Sequence, residues 1–161
     1  MTGAVVTGTY AASGGSIAVH STIDFSELFA LSGDASLGDI YLNGDGDAVM
    51  TQSGGTMGAW VSGIDIYTMT GGTILAATQV LTDTFVQTGG TVSSPAEEDG
   101  WRPHIGFATR YDLSGDASVG LANVVGDATA TMTQSGGTMG GHVYSETPPR
   151  LSPAILKPVA T

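Results

Sequence analysis

The sequence predicts an all-β chain wound as a single-stranded parallel β-helix, a right-handed β-solenoid of about seven rungs. Three features carry this expectation: a short phrase that recurs seven times, large apolar residues at fixed places within it, and a glycine corner that ends it. The phrases are YAASGGSI from Tyr10, FALSGDAS from Phe29, MTQSGGTM from Met50, YTMTGGTI from Tyr67, FVQTGGTV from Phe85, YDLSGDAS from Tyr111 and MTQSGGTM from Met132. Their anchor glycines, Gly14, Gly33, Gly54, Gly71, Gly89, Gly115 and Gly136, are 19, 21, 17, 18, 26 and 21 residues apart. A period of about 20 residues marks a solenoid in which each copy lies on its predecessor.

Within the phrase, the residue four before the anchor glycine is Tyr10, Phe29, Met50, Tyr67, Phe85, Tyr111 or Met132, always large and apolar, and so a core position. Two residues later come Ala12, Leu31, Gln52, Met69, Gln87, Leu113 and Gln134, on the same strand face because side chains alternate with period 2. The residues between them, such as Thr51, Thr68 and Thr133, point outward. The glycine pair turns a corner, since glycine adopts positive φ at little steric cost. Five copies then resume with Ile17, Met57, Ile74, Val92 or Met139 on a second inward strand. The two Gly-Asp copies place Leu37 and Val119 one step later, which predicts a differently shaped corner. Gln52, Gln87 and Gln134 have two readings: stacked amide ladders, or amides that satisfy nearby corner backbone. Stacked at about 4.8 Å, seven rungs make a body on the order of 34 Å long.

A longer repeat overlies the short one, for Ser32 to Gly58 and Ser114 to Gly140 align without a gap at an offset of 82 residues, with 18 of 27 positions identical. The sequence therefore divides into a solenoid domain over 1–144, interrupted by an inserted loop over 93–106, and a proline-rich extended tail over 145–161.

The 161 residues carry 41% hydrophobic content, enough for one ordered domain, and no cysteine, which excludes disulfides and thiolate metal sites. Residues 1–101 hold eleven acids and no lysine or arginine, and the whole chain has a net charge of -11. Such a surface argues against nucleic acid or an anionic membrane as a partner. No stretch is apolar enough for a membrane span, and the N-terminus lacks the features of a signal peptide.

VTGTYAASGGSI, GDAVMTQSGGTM and LTDTFVQTGGTV resemble the short repeats of secreted bacterial β-solenoid proteins, both autotransporter-type passengers and PEP-CTERM-type surface proteins with TQSGGT repeats. The resemblance covers residues 5–141 and implies a parallel β-helix exposed at a cell surface or in an extracellular assembly. It marks a fold more than an activity.

No catalytic constellation is expected. Asn43, Asp45 and Asp47 alternate as in a calcium loop, but Tyr41 and Gln52 stand where the end ligands belong, so no cofactor is expected and calcium is only an alternative to a solvated acidic corner. His20, His104 and His142 lack metal-ligand spacing. Thr56, Thr73, Thr91 and Thr138 predict a threonine row, read as outward strand filler rather than an ice-binding array. The insertion concentrates Glu97, Glu98, Asp99, Trp101, Arg102 and His104, and Trp101, Arg102 and His104 are its candidate interaction residues, against a packing role for Trp101. The leading functional expectation is a non-enzymatic extracellular structural or adhesive solenoid. It would self-associate head to tail into a filament or surface layer. The alternative is a carbohydrate-binding module or a fragment of a polysaccharide-degrading β-helix enzyme.

Overall fold

The computed structural model describes residues 4–17, 20–76, 78–94 and 101–146. Within them the chain winds through seven complete coils and the first strand of an eighth, every pairing parallel. Each coil has three faces. Coil 1 is β1 (Ala4–Ala12), which bends from the first face to the second, and β2 (Ser16–Ile17) on the third. Coil 2 is β3 (Thr22–Leu31) with β4 (Ser36–Leu37), while coils 3 and 4 are the long bent strands β5 (Tyr41–Met57) and β6 (Trp60–Ile74). Coil 5 is β7 (Gln79–Gln87) with β8 (Thr91–Val92), and coil 6 is β9 (His104–Leu113) with β10 (Ser118–Val119). Coil 7 is β11 (Asn123–Asp127), β12 (Thr131–Gln134) and β13 (Thr138–Met139). β14 (His142–Glu146) then begins the eighth coil on the first face.

Register turns the repeat into columns. On the second face Tyr10, Phe29, Met50, Tyr67, Phe85, Tyr111 and Met132 stand one above another. The middle five are fully buried and the two end members partly so. Ring centroids 4.8 Å apart for Tyr67 and Phe85, and 5.1 Å for Phe85 and Tyr111, add about 0.5–1.5 kcal/mol per pair beyond the area they bury. On the third face Ile17, Leu37, Met57, Ile74, Val92, Val119 and Met139 form another inward column. The first face contributes Val5, Ile23, Leu42, Val61, Val80, Ile105, Val124 and Val143, a β-branched and leucine row suited to parallel strands.

The two corner types explain the offset of Leu37 and Val119. In the Gly-Gly corners the second glycine carries the positive φ, as at Gly55, where a Cβ would also stand 2.5 Å from the Ala35 carbonyl. In the Gly-Asp corners the first glycine does so, as at Gly33, whose Cβ would collide with the Ser13 carbonyl oxygen. Ala35 then closes a turn onto the Ser32 carbonyl, and Ala117 onto Ser114. The extra residue is absorbed in that turn. Leu37 therefore faces Met57, and Val119 faces Val92, in the common column.

The glutamines satisfy corner backbone and form no amide ladder, because Met69 separates Gln52 from Gln87 and Leu113 separates Gln87 from Gln134 in the column. Gln52 Nε2 donates to the Gly55 carbonyl of its own coil and to the Thr73 carbonyl of the next, while its Oε1 accepts from the Tyr67 hydroxyl. Gln87 repeats the arrangement with Gly90, Ser118 and Tyr111, the last at 2.7 Å. Burial pushes both phenols well above the ordinary tyrosine value, so they remain donors.

Two boundaries differ from the sequence expectation. His104, Ile105 and Gly106 belong to β9 on the first face rather than to the insertion, because Ile105 continues the inward column after Val80. Ser145 and Glu146 continue β14 instead of opening the tail, since the valine of HVYSE extends the same column. Residues 95–100, with Glu97, Glu98 and Asp99, and residues 147–161 lie outside the described residues.

Phe85→Ala is expected to cost ~3–5 kcal/mol in a denaturant titration, as for a buried aromatic. Thr68→Ala, on the outward side of the same face, is expected to cost under about 0.5 kcal/mol. Tyr67→Phe is expected to cost roughly 1–3 kcal/mol, because it strands the buried Gln52 oxygen. An unchanged urea midpoint would show that another donor replaces the hydroxyl.

Candidate ligand-binding face

The first residue of each coil precedes an inward aliphatic residue, and so points outward from the first face. These residues are Ala4, Thr22, Tyr41, Trp60, Gln79, His104, Asn123 and His142, and parallel register holds them in one column. The coil spacing of about 4.8 Å sets the distance between successive backbones. Backbone hydrogen bonds fix them there, from Trp60 N to Ile40 O and from His104 N to Thr78 O, each 2.9 Å. After Thr22 the column passes through the aromatic pair Tyr41 and Trp60 to the polar Gln79, His104, Asn123 and His142.

Tyr41 and Trp60 remain 45% and 43% exposed, although their rings meet at 5.8 Å. Beside them the inserted segment returns to the solenoid through Trp101. Ser94 secures that return, for its hydroxyl donates to the Trp101 carbonyl and its N–H to the Leu121 carbonyl in the link between coils 6 and 7. Pro103 is buried and Arg102 half-buried, so the backbone is anchored while Trp101 projects with 68% of its surface exposed. The indole does not pack over the solenoid side.

A cleft of about 280 Å³ lies between the column and the returning segment, lined by Trp60, Thr78, Gln79, Trp101, Arg102, His104 and Asn123. Gln79 and His104 also line a second cleft of about 520 Å³, which continues past Leu81, Gly106 and Phe107 to the carboxylates Asp83 and Asp127. The second cleft adjoins the first through the shared residues Gln79 and His104. Gly63 and Gly106 keep its floor low, and a Cβ on Gly106 would press against the Leu81 side chain.

The three residues singled out in the insertion, Trp101, Arg102 and His104, thus line a single cleft. Trp60, Gln79, Asn123 and Asp83 are not brought out by a repeat aligned on the glycine corner of the second face. Aligning instead on the residue before each first-face aliphatic, as in WV, QV, HI and NV, brings out this column.

The other sequence candidates lie elsewhere. Asn43 is committed to a chain of side-chain bonds between coils, donating to Asp24 at 2.9 Å and accepting from Ser62 at 3.3 Å. Asp45 accepts from the Asp47 N–H in its own turn. Among the described residues no group of three histidines or carboxylates is placed to hold a metal ion. His20 lies 3.8 Å from Asp39 at an exposed bend, while His104 and His142 are separated in their column by Asn123. The threonine row is a column of hydroxyl residues, Ser16, Ser36, Thr56, Thr73, Thr91, Ser118 and Thr138, one per coil because each third-face segment pairs over two residues. Among the described residues no helix is long and apolar enough to cross a membrane. Compared with protein-family models, curated proteins and solved structures, the chain matches none.

Proposed function

We propose that this chain is an adhesive β-solenoid module that binds a neutral glycan along its first face. The column running from Trp60 through Gln79 and His104 to Asn123, with Trp101 beside it, carries the reading. A sugar ring has apolar faces that stack on indole and phenol rings, and a rim of hydroxyls that pair with amide, imidazole and guanidinium groups. Tryptophan, tyrosine and arginine are also the side chains that most often anchor an interface. The parallel ladder holds these groups in place before the ligand arrives, which lowers the ordering cost of binding. A net charge of -11 disfavours an anionic polysaccharide. Binding is favoured over cleavage because Asp83 and Asp127 stand exposed at the end of the second cleft, open to solvent rather than enclosed around a bound sugar. The setting proposed is a cell surface or an extracellular assembly, as the resemblance to secreted bacterial solenoid repeats implies.

A second reading, a structural module that joins copies of itself, is favoured by a different observation. Among the described residues β1 pairs only with β3, and β12 only with β9, so both end coils present open strand edges.

The glycan reading is tested by calorimetry and array binding with neutral oligosaccharides. Trp60→Ala and Trp101→Ala are each expected to weaken binding on the order of tenfold, about 1.4 kcal/mol, with the circular-dichroism melt nearly unchanged. Absence of binding by the unaltered chain, or binding indifferent to both tryptophans, would overturn it.

A further inference from the structure

Inside the solenoid each buried glutamine is completed by the coil that follows it. Gln52 takes a hydroxyl from Tyr67 and offers its amide to the Thr73 carbonyl, and Gln87 does the same with Tyr111 and Ser118. Gln134, in the last complete coil, makes only the local half of the pattern, donating to Gly137 at 3.3 Å, and its side chain is exposed. Among the described residues no following tyrosine reaches it. At the opposite end Tyr10 occupies the column position of Tyr67 and Tyr111, with no coil before it among the described residues. Ser16 likewise stands in the column of Thr73 and Ser118.

The apolar residues repeat this complementarity. The partly buried hydrophobic residues packed against the core are Tyr10, Ala12 and Ile17 in coil 1, and Ala130, Met132 and Met139 in coil 7. Each end thus exposes part of the three-faced interior that the other end would cover.

We infer that copies of this chain stack head to tail, with Tyr10 and Ser16 of a second copy completing Gln134 of the first, and β14 of the first displacing residues 4–7 of the second. The displacement is required because β14 already fills the first-face place above β11. His142, Val143 and Tyr144 then take the column places of Ala4, Val5 and Val6, of which Val5 and Val6 are 44% and 81% exposed. One parallel pairing is exchanged for a similar one on the first face, while pairing and apolar cover are gained on the second and third. Such a heterologous contact does not close, so it grows into an open filament. The acidity of the chain opposes it, and salt strengthens it by screening. The inference rests on the structural, self-associating reading and leaves the glycan cleft untouched.

The chain has no cysteine, which permits a direct test. Ala11 and Thr133 belong to one outward column, at opposite ends of a single copy. Stacking brings them onto adjacent strands about 4.8 Å apart, within the ~4.4–6.8 Å between Cα atoms that a disulfide spans. The full chain carrying Ala11→Cys and Thr133→Cys, mildly oxidised across a salt series, is expected to give a ladder of multiples of 16.2 kDa on a non-reducing gel. Adding Tyr10→Phe is expected to weaken assembly about fivefold at an unchanged melt, the loss of one hydrogen bond. Oligomers seen by light scattering without the ladder would overturn this contact while leaving self-association standing. Dimers formed by either single-cysteine variant, with no ladder from the double one, would show a symmetric contact and overturn it too. A monomer at every concentration and salt would overturn both the contact and the self-associating reading.

Discussion

In-register parallel pairing of successive coils is the constraint on which the rest of this molecule depends. Each residue lies beside its counterpart one repeat away, held by slanted bonds to that counterpart's neighbours, as from Trp60 N to Ile40 O, so side chains of equal repeat position are stacked about 4.8 Å apart whatever they are. Position then becomes a collective property. An aromatic at the place of Phe85 gains two stacked neighbours, Tyr67 and Tyr111, whereas a charge there would be buried beside further interior positions. The same coupling makes the body quasi-one-dimensional, its stability a sum of intrinsic coil terms and coil-to-coil interfaces.

A three-faced coil of about 19 residues must turn sharply, and each turn leaves backbone groups that the ladder does not fully serve. The glycine corners solve the steric part by adopting positive φ where a neighbouring coil's carbonyl leaves no room for Cβ, as at Gly55. The polar part is met from inside the core. Gln52 and Gln87 bring amides to corner carbonyls, and Tyr67 and Tyr111 satisfy the remaining glutamine oxygens. A buried amide is costly unless fully paired, so a glutamine in this column commits the following coil to a tyrosine. That dependence gives a chemically plain repeat a preferred order of coils.

Two surfaces follow from the same ladder and run at right angles. Sideways, the first face carries one outward residue per coil, and the sequence varies there from Tyr41 and Trp60 to Gln79, His104 and Asn123 without disturbing the valine-rich row behind it. Along the axis, among the described residues, the end coils leave part of the interior columns uncovered. The outward residues of the side thus vary without constraint from the core, while the proposed end-to-end contact would reuse the core columns. Trp101 joins the lateral surface because the insertion interrupts a connection between coils rather than a strand, and Ser94 pins its return.

What the sequence alone determined is the architecture: the period, the inward residues of the second and third faces, and the glycine corners. They are legible because in a parallel solenoid the tertiary neighbour of a residue is its own equivalent one repeat later, so alignment of phrases is already a contact map. Phe29 over Met50, and Met57 over Ile74, follow from that alignment. The tertiary structure decided what depends on offsets between faces. The bend between the first and second faces changes length from coil to coil, as the register shifts around Asn43–Ala48 and Val61–Ile64 show, so the glycine-anchored phrase loses the column of Trp60, Gln79 and His104. The glutamine's partner is a tyrosine one coil on and two residues out of column, a diagonal contact that hydrogen-bond geometry selects rather than strand periodicity. The exposure of Trp101 likewise came from where the chain rejoins the solenoid, since an indole at the end of an insertion packs or projects according to how its backbone is held.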